Sequence, residues 1–226
     1  EARACNQDIS SWNVNNVTDM FRTFRSADAF NQDISSWDVS NVTRMFEMFL
    51  NADEIDQNFG AWDIRSVSNM SNMFNGTPLS TENYDLTLIG WVANENVREN
   101  TSLGASGVES CEGEAARFSL INDFGWNIND AGVCDEAANI LSFTVTDQVD
   151  ISVIDQSNHE ITFRYVDSLD ATALSPILVV SEGATVSPNS GDAVDFTDSE
   201  TIPVVYTVTA EDGTTTQEWM VRLIPF

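Results

Sequence analysis

The chain has 226 residues, of which 42% are hydrophobic, and its 36 acidic residues outnumber 9 basic ones to give a formal net charge of −27. That charge repels nucleic acid and anionic lipid surfaces. Every basic residue is an arginine and the one histidine is His159, which excludes a phosphate-loop lysine, a Schiff base and a multi-histidine metal site. The longest apolar runs are too short to span a bilayer.

An internal repeat dominates the first third of the chain. The segments 5–20, 30–45 and 55–70 align without gaps, each 25 residues after the last. In each repeat, apolar residues recur with the spacing of Ile9, Trp12, Val14 and Val17, which is similar to the L-x-x-L-x-L pattern of a leucine-rich repeat. The polar–apolar alternation after the tryptophan predicts a short strand, and the residues from Met20 onward predict a short helix. We therefore predict a leucine-rich-repeat-like α/β solenoid with repeats at about 5–29, 30–54 and 55–79.

The predicted solenoid buries the aromatic and methionine columns and presents the intervening residues to solvent. Because the tryptophans and methionines lie on the predicted inward side, we expect them to fill the core and not to stack on sugars or bind metal. The positions between the ladder residues should point outward and form a flat polar face, which either binds a ligand, as solenoids often do, or is merely solvated. The candidate binding residues on this face are Ser11, Asn13, Asn15, Ser36, Asp38, Ser40, Asp63 and Arg65.

The repeat motif also carries a resemblance. The string Phe-Asn-Gln-Asp-Ile-Ser-Ser-Trp-Asp-Val-Ser-Asn-Val-Thr-Arg-Met at 30–45 resembles a repeat of about 26 residues found in lipoproteins and large surface proteins of mycoplasmas, Listeria and Bacteroidetes. The resemblance covers roughly residues 4–77. It implies a surface-exposed, adhesin-like protein and supplies no catalytic residues. Because the chain starts within a repeat, we interpret it as a fragment whose uncapped first repeat could stack end to end with another chain.

The predicted cap follows the repeats at 80–134, where a helix over 82–92 and a second over 113–124 cover the end of the solenoid. In an exported protein of the kind that the resemblance implies, two of three cysteines are expected to pair. The predicted disulfide joins Cys111 and Cys134, which flank the second helix. Cys5 lies in the column of Phe30 and Ile55 and is predicted to be a small buried hydrophobe.

The pattern changes at about residue 138 to short alternating strands with frequent turns. Residues 138–226 are predicted to form an all-β immunoglobulin-like sandwich, with the last two strands in a hairpin around Asp212-Gly213. The stretch 178–219 resembles small immunoglobulin-like domains in surface proteins of Bacteroidetes, where they act as spacers. That resemblance also points to type IX secretion machinery as a partner of the parent protein.

We predict no cofactor, with calcium as the alternative. Carboxylates near strand ends could hold Ca²⁺, although no loop has the spacing of a calcium-binding hand; they are Asp147, Asp150, Asp167, Asp170, Glu211 and Asp212. His159 is expected in an exposed turn, because a lone imidazole makes neither a metal site nor a triad.

The function predicted from these features is a non-catalytic adhesion or interaction module, secreted to the bacterial cell surface. Its ligand is an unidentified surface, protein or glycan, and nucleic acid is excluded by charge. Polysaccharide binding and a purely structural stalk remain as alternatives. Glycosidase chemistry needs two carboxylates across a cleft, and nothing in the sequence marks one pair.

Overall fold

The fold was analysed in a computed structural model of the chain. It describes residues 4–94, 97–134, 137–165 and 170–225. The chain divides into two compact units, Glu1–Gly132 and Val133–Phe226, and each is described by itself. No helix among these described residues combines the length and the apolar character that crossing a membrane requires.

Consecutive repeats in the first unit are hydrogen-bonded to each other through a segment that we call the turn ribbon (20–27, 45–52 and 70–77). Alternate backbone N–H groups from 20 to 26 donate to carbonyls between 44 and 50 at 2.9–3.2 Å, and those from 45 to 51 donate to carbonyls between 69 and 75 at 2.9–3.0 Å. The N–H groups in between, such as that of Thr23 to the carbonyl of Met20, close turns inside one repeat. The ribbon therefore satisfies its backbone without a helix.

The predicted leucine-rich-repeat-like α/β solenoid with a helical cap is wrong. Left-handed backbone recurs in every ribbon, with φ of 56° at Arg22, 55° at Glu47 and 56° at Asn72, and an α-helix cannot pass through such residues. The predicted strand after each tryptophan is also missing, because turns close there, as at Trp12 and Val17. The described chain is rich in β-structure, with two short α-helices.

The core of the first unit is built from columns of equivalent side chains. The rings of Phe24, Phe49 and Phe74 stack in sequence with centroids 5.5 and 5.9 Å apart. Trp37 and Trp62 are buried and their indole N–H groups donate to backbone carbonyls of the preceding repeat at 3.2 and 3.1 Å. The methionines on the predicted apolar faces are buried as well: Met20, Met45, Met48, Met70 and Met73.

The first repeat departs from the predicted burial. Trp12 is 62% exposed, although its equivalents in the other repeats are buried. Cys5 is a free and exposed thiol, so the prediction that it fills the core is wrong. Both residues line an open apolar cavity of about 400 Å³, on the side of the first repeat where no described layer covers the columns.

The Asn-Gln pair at the start of each motif forms a second ladder between repeats. The side-chain oxygen of Asn6 accepts hydrogen bonds from the backbone of Asn31 at 3.3 Å and from the amide of Gln32 at 2.8 Å. Asn31 accepts in the same way from Asp56 and Gln57. These motif residues are thus explained by layer-to-layer hydrogen bonding, which stabilises the register of the repeats.

Helix α1 (Thr81–Val92) takes the place of a further repeat. Its N-cap Ser80 donates to Asp56, Thr87 accepts from the backbone N–H of Phe59 at 2.9 Å, and the indole of Trp91 donates to the carbonyl of Phe59 at 3.0 Å. These three contacts reproduce, in order, those that the third repeat makes with the second. α1 therefore ends the core columns without leaving buried backbone groups unpaired.

On the ribbon side the layering continues past the repeats. Strands β1 (Asn69–Met70), β2 (Ser102–Gly104) and β3 (Asn127–Asn129) form a parallel sheet in that order. Single parallel bridges extend the sheet backward from Asn69 to Arg44 and from Arg44 to Asp19. The result, here called the five-rung ladder, consists of in-register positions at Asp19, Arg44, Asn69, Ser102 and Asn127.

Helix α2 (Glu114–Asn122) lies between β2 and β3 in the chain and contacts α1. Asp85 of α1 is buried and accepts hydrogen bonds from the Ser110 hydroxyl at 2.7 Å and the backbone of Cys111 at 3.2 Å, just before α2 begins. Cys111 and Cys134 are disulfide-bonded, in agreement with the disulfide expected of an exported chain.

The described residues of the second unit form seven strands in two sheets. The strands are β4 Ile140–Thr144, β5 Val153–Asp155, β6 Glu160–Tyr165, β7 Ile177–Val180, β8 Thr185–Ser187, β9 Val204–Thr209 and β10 Thr216–Pro225, and a 3₁₀ helix spans Ala171–Ala173. The larger sheet runs in the order β5-β6-β10-β9-β8 and the smaller pairs β4 with β7. Residues of both sheets share one core, in which Phe143 contacts Phe163 and Tyr206.

This arrangement corrects the predicted immunoglobulin-like sandwich. Its sheets hold five and two strands, and β6 pairs with β10 in parallel, whereas the immunoglobulin fold divides its antiparallel strands more evenly. The hairpin of β9 and β10 around Asp212-Gly213 is present as predicted. His159 lies in a turn but is half-buried, edge-on to the ring of Trp219 at 5.2 Å.

Candidate functional site

The residues predicted to form an outward binding face lie on turns. Side-chain oxygens of Asn13, Asp38 and Asp63 each accept a hydrogen bond from the backbone N–H two residues later, at 3.1–3.2 Å. Such turns compete with strand formation, since the side chain replaces the ladder partner of the backbone. The eight candidate positions therefore do not form the flat sheet that was expected.

The carboxylates on this predicted face are already engaged. Hydrogen bonds from the hydroxyl and N–H of Ser40 lower the pKa of Asp38, and the guanidinium of Arg65 lowers the pKa of Asp63. Of the eight candidates, Ser11 and Ser36 are exposed hydroxyls without a hydrogen-bond partner among the described residues. The carboxylates of this face are therefore hydrogen-bonded within their own turns. The binding role of the face stays a prediction.

A different polar surface lies on the outward side of the five-rung ladder. Leu103 and Ile128 turn inward to the core of the first unit, so their neighbours in β2 and β3 face outward, as alternation along a strand requires. These neighbours border a groove of about 410 Å³, here called the ladder groove. It is lined by Ser71, Asn72, Ser102, Leu103, Gly104, Asn127, Ile128 and Asn129.

The ladder groove brings together uncharged side chains whose hydrogen-bonding capacity is unused. Within the described ranges, the side chains of Ser71, Ser102, Asn127 and Asn129 have no hydrogen-bond partner in the protein. Each asparagine amide offers two donors and an acceptor, and each hydroxyl offers both functions. A polar ligand in this groove would meet donors and acceptors that are free to bind it.

Gly104 lies at a close junction between β2 and the third repeat. The backbone of Asn72 lies against Gly104 so closely that a Cβ on Gly104 would come within 2.2 Å of the Asn72 nitrogen. The N–H of Phe74 donates to the carbonyl of Gly104 at 2.8 Å. This junction requires glycine at that position.

Aromatic and arginine side chains border the ladder one rung before the groove. Phe21 and Phe46 stack with centroids 5.7 Å apart, and the guanidinium carbons of Arg22 and Arg44 lie 4.6 and 4.7 Å from the Phe21 ring centre. Both arginines also pair with carboxylates: Arg44 with Asp19, and Arg22, together with Arg25, with Glu47. The positive charge in this Phe–Arg cluster is therefore largely compensated.

The buried ionisable groups of the first unit hold its architecture together. Asp130 accepts from Tyr84 at 2.8 Å and from Arg117 at 2.8 and 2.9 Å. Burial opposes its ionisation, but the hydrogen bonds and the guanidinium charge outweigh burial and lower its pKa. At Asp85 burial prevails and raises the pKa. Both carboxylates are saturated by protein donors and leave no position for a reacting atom.

The described residues contain no group of three or more His, Cys, Asp or Glu that could hold a metal ion. Of the carboxylates considered for calcium, Asp167 lies outside the described residues. Asp170 and Asp212 accept hydrogen bonds from nearby threonines. In Asp212 these bonds strongly lower the pKa. These two carboxylates therefore act as turn caps.

Comparison with known proteins gives two family matches, each over part of the chain. Residues 1–87 match the family described as Mycoplasma protein of unknown function, DUF285. Residues 140–222 match the family SGBP, N-terminal. The first agrees with the resemblance of the repeat to bacterial surface proteins. The second falls on the second unit, where the resemblance to immunoglobulin-like domains is not confirmed.

No curated protein matches the chain. Among solved structures, it is similar to a candidate glycoside hydrolase from Bacteroides thetaiotaomicron, with 31% identity and a TM-score of 0.37. That alignment covers 42% of this chain and 26% of the solved one. The chain therefore spans about a quarter of that relative, and the TM-score is too low to support an argument about fold or activity.

The ladder groove was not found from the sequence. Most of its residues fall in the segment 80–134, which is predicted to form the cap, and Ser71 and Asn72 belong to the third repeat. One signal was available: the stretch 126–130, Trp-Asn-Ile-Asn-Asp, alternates apolar and polar residues as a strand with one outward polar face does.

Proposed function

We propose that this chain is a non-catalytic interaction module of the bacterial cell surface, which binds an external ligand in the ladder groove. The observation that carries the proposal is the row of outward amides and hydroxyls without partners in the protein. The two family matches support a surface location, since both are consistent with bacterial surface-protein families.

The groove is a better candidate than the eight residues of the predicted outward face, which lie on turns and are here called the turn columns, for a physical reason. A ligand at Asp38 or Asp63 would have to displace hydrogen bonds that already fix the turns, and that exchange would offset most of the gain. A ligand in the groove displaces only water from Ser102, Asn127 and Asn129. The rigid parallel rungs also hold these groups in place before binding, which lowers the entropic cost.

The saturation of Asp85 and Asp130 supports a binding role over catalysis. General acid–base chemistry needs a carboxyl that can exchange a proton with a substrate. Both buried carboxylates direct their oxygens to protein donors instead. The groove itself is lined by uncharged residues, so it offers hydrogen bonds but no nucleophile of high reactivity.

The test is a binding survey with the fluorescently labelled full chain on arrays of extracellular proteins and purified polysaccharides. The proposal expects saturable binding to at least one ligand. That binding should weaken in the double variant Asn127→Ala/Asn129→Ala and persist in the matched control Ser11→Ala/Ser36→Ala, which removes two unpartnered hydroxyls from the turn columns. Loss in the control variant alone would assign binding to the turn columns and refute the groove.

End-to-end association through the first repeat stays a prediction. The cavity of about 400 Å³ beside Trp12 supports an apolar contact there. Because α1 packs on the last repeat, we expect an association through this surface to be head to head. Sedimentation at increasing concentration, with Trp12→Ser as the comparison, tests for such a dimer.

A further inference from the structure

The ladder groove has a chemistry that selects among ligand classes. We infer that it binds an uncharged polysaccharide lying along the ladder, with sugar hydroxyls on the asparagine amides and a sugar ring against Phe46. The inference rests on the proposed function and names the ligand class of the same site. It follows from the charge of the groove, the spacing of its polar groups and the aromatic ring at its end.

The groove contains no charged side chain. Its lining consists of asparagine, serine, glycine and two aliphatic residues. Two cations on the preceding rungs, Arg22 and Arg44, already pair with Glu47 and Asp19. A polyanion would gain no free cation in the groove and would be repelled by the chain's net charge of −27.

The polar groups are arranged in a repeating array. Ser102 and Asn127 are in register on neighbouring rungs, and Gly104 and Asn129 are in register beside them. Neighbouring rungs are about 4.8 Å apart, and alternate residues of one strand are about 6.6 Å apart. An array of donors and acceptors at regular steps suits a polymer that presents hydroxyl groups at regular steps along its length.

An aromatic ring stands at the end of this array. Phe46 occupies the rung position before Ser71, as the hydrogen bond from the Glu47 N–H to the Ser71 carbonyl fixes their register at 3.0 Å. One face of the Phe46 ring stacks on Phe21. The next position in this column is Ser71, which has a small side chain, and Phe46 itself is half-buried. The apolar face of a sugar ring fits such a surface, because C–H groups meet the negative face of the aromatic ring.

A peptide is a poorer match than a polysaccharide. Extended peptides bind sheets by pairing their backbone with a free strand edge. In the groove the central strand β2 is already paired on both sides, with β1 and with β3. A peptide would therefore dock at the outer edge of β3, where binding would not depend on Ser102.

Native affinity electrophoresis of the full chain tests the inference, because the acidic protein migrates without added charge. The probes cast into the gels are neutral dextran, galactomannan and mixed-linkage β-glucan, with polygalacturonate and heparin as anionic counterparts. We expect retardation by at least one neutral polymer and none by the anionic ones. Asn127→Ala/Asn129→Ala should weaken the apparent affinity about tenfold, because two hydrogen bonds are lost.

Two further variants make the result specific. Phe46→Ala should weaken retardation by the same neutral polymer, whereas Ser11→Ala/Ser36→Ala should leave it unchanged. The Asn and Ser variants alter exposed or half-buried side chains that bond to nothing in the protein, so folding is preserved, and circular dichroism verifies this.

The outcomes separate the two proposals. Retention by anionic polymers, or groove-dependent binding of a protein on the arrays with no polysaccharide bound, would overturn the inference and leave the proposed function standing. Absence of any groove-dependent ligand among polysaccharides and proteins would overturn both. Binding of a neutral polymer that is unchanged in both Asn127→Ala/Asn129→Ala and Phe46→Ala would also contradict the inference.

Discussion

The replacement of a repeat by helix α1 leads to a sharp prediction about Thr87. Its hydroxyl accepts the backbone N–H of Phe59 at 2.9 Å and donates to the Asn83 carbonyl at 2.7 Å. Both Thr87 and Phe59 are fully buried. Thr87→Val keeps the shape of the side chain and removes the acceptor, so the Phe59 N–H is left in the core without a partner.

The magnitude follows from the cost of an unsatisfied buried donor, about 1–3 kcal/mol. Valine fills nearly the same volume, so no cavity contribution is added. We therefore expect the free energy of unfolding of the first unit to fall by about 2 kcal/mol, and the urea midpoint to fall by about 1 M.

Thr81→Val is the matched control, because Thr81 lies in the same helix and its hydroxyl makes no hydrogen bond that the structure describes. Urea unfolding followed by tryptophan fluorescence gives the stability, and hydrogen exchange gives the protection of the Phe59 amide. That amide should exchange about 30-fold faster in Thr87→Val. Equal stability and equal exchange in the two variants would refute the idea that α1 supplies a repeat's missing hydrogen bonds.

Three other substitutions test the first unit. Gly104→Ala would place a Cβ within 2.2 Å of the Asn72 nitrogen, so thermal unfolding should reveal a loss of at least about 1–3 kcal/mol; an unchanged melting temperature would contradict the close approach. Arg117→Met leaves the buried Asp130 short of its main partner, and urea unfolding should show a loss of about 3–5 kcal/mol, whereas a loss below 1 kcal/mol would mean that the pair is not needed. Hydrogen bonds lower the pKa of Asp33 from its ordinary 3.8, so its contribution to the free energy of unfolding is present above that pH and is lost as the pH falls through the lowered value. When stability is measured against pH, Asp33→Asn should lose less of it than the unmodified protein below about pH 4. Identical curves for the two proteins would show that Asp33 contributes nothing to acid unfolding.

Some of this structure could be predicted from the sequence. The 25-residue spacing identified the equivalent positions, because side chains that stack on one another must share a size and polarity. The buried phenylalanine, methionine and later tryptophan columns follow from it. The β9–β10 hairpin was signalled by Asp212-Gly213, which suits the tight turn between two alternating segments.

The turn ribbon could not be predicted. Its left-handed residues include Arg22 and Glu47, which give no local signal of the kind that glycine gives. The apolar spacing from Met20 to Phe24 fits a helix and a ribbon of turns equally well. What decides between them is the hydrogen bonding to the next repeat, a contact about 25 residues away that local patterns do not contain.

The ladder groove was missed for a related reason. Its rungs come from the repeat at Asn69 and from two non-repeating segments that reach Ser102 and Asn127. The periodicity marks the repeats themselves, where many polar side chains are already hydrogen-bonded within turns. Apart from Ser71, the free polar groups lie after the last repeat, and only the assembled ladder brings them together.

The most direct measurement of the proposed binding site is a side-chain amide NMR titration of the full chain with a neutral oligosaccharide from a retained polysaccharide. Saturable shifts of the Asn127 and Asn129 side-chain amide signals are expected, while those of Asn13 and Asn15 on the turn columns stay in place. Shifts confined to the turn columns, or no shift at any of the four at saturating oligosaccharide, would contradict binding in the ladder groove.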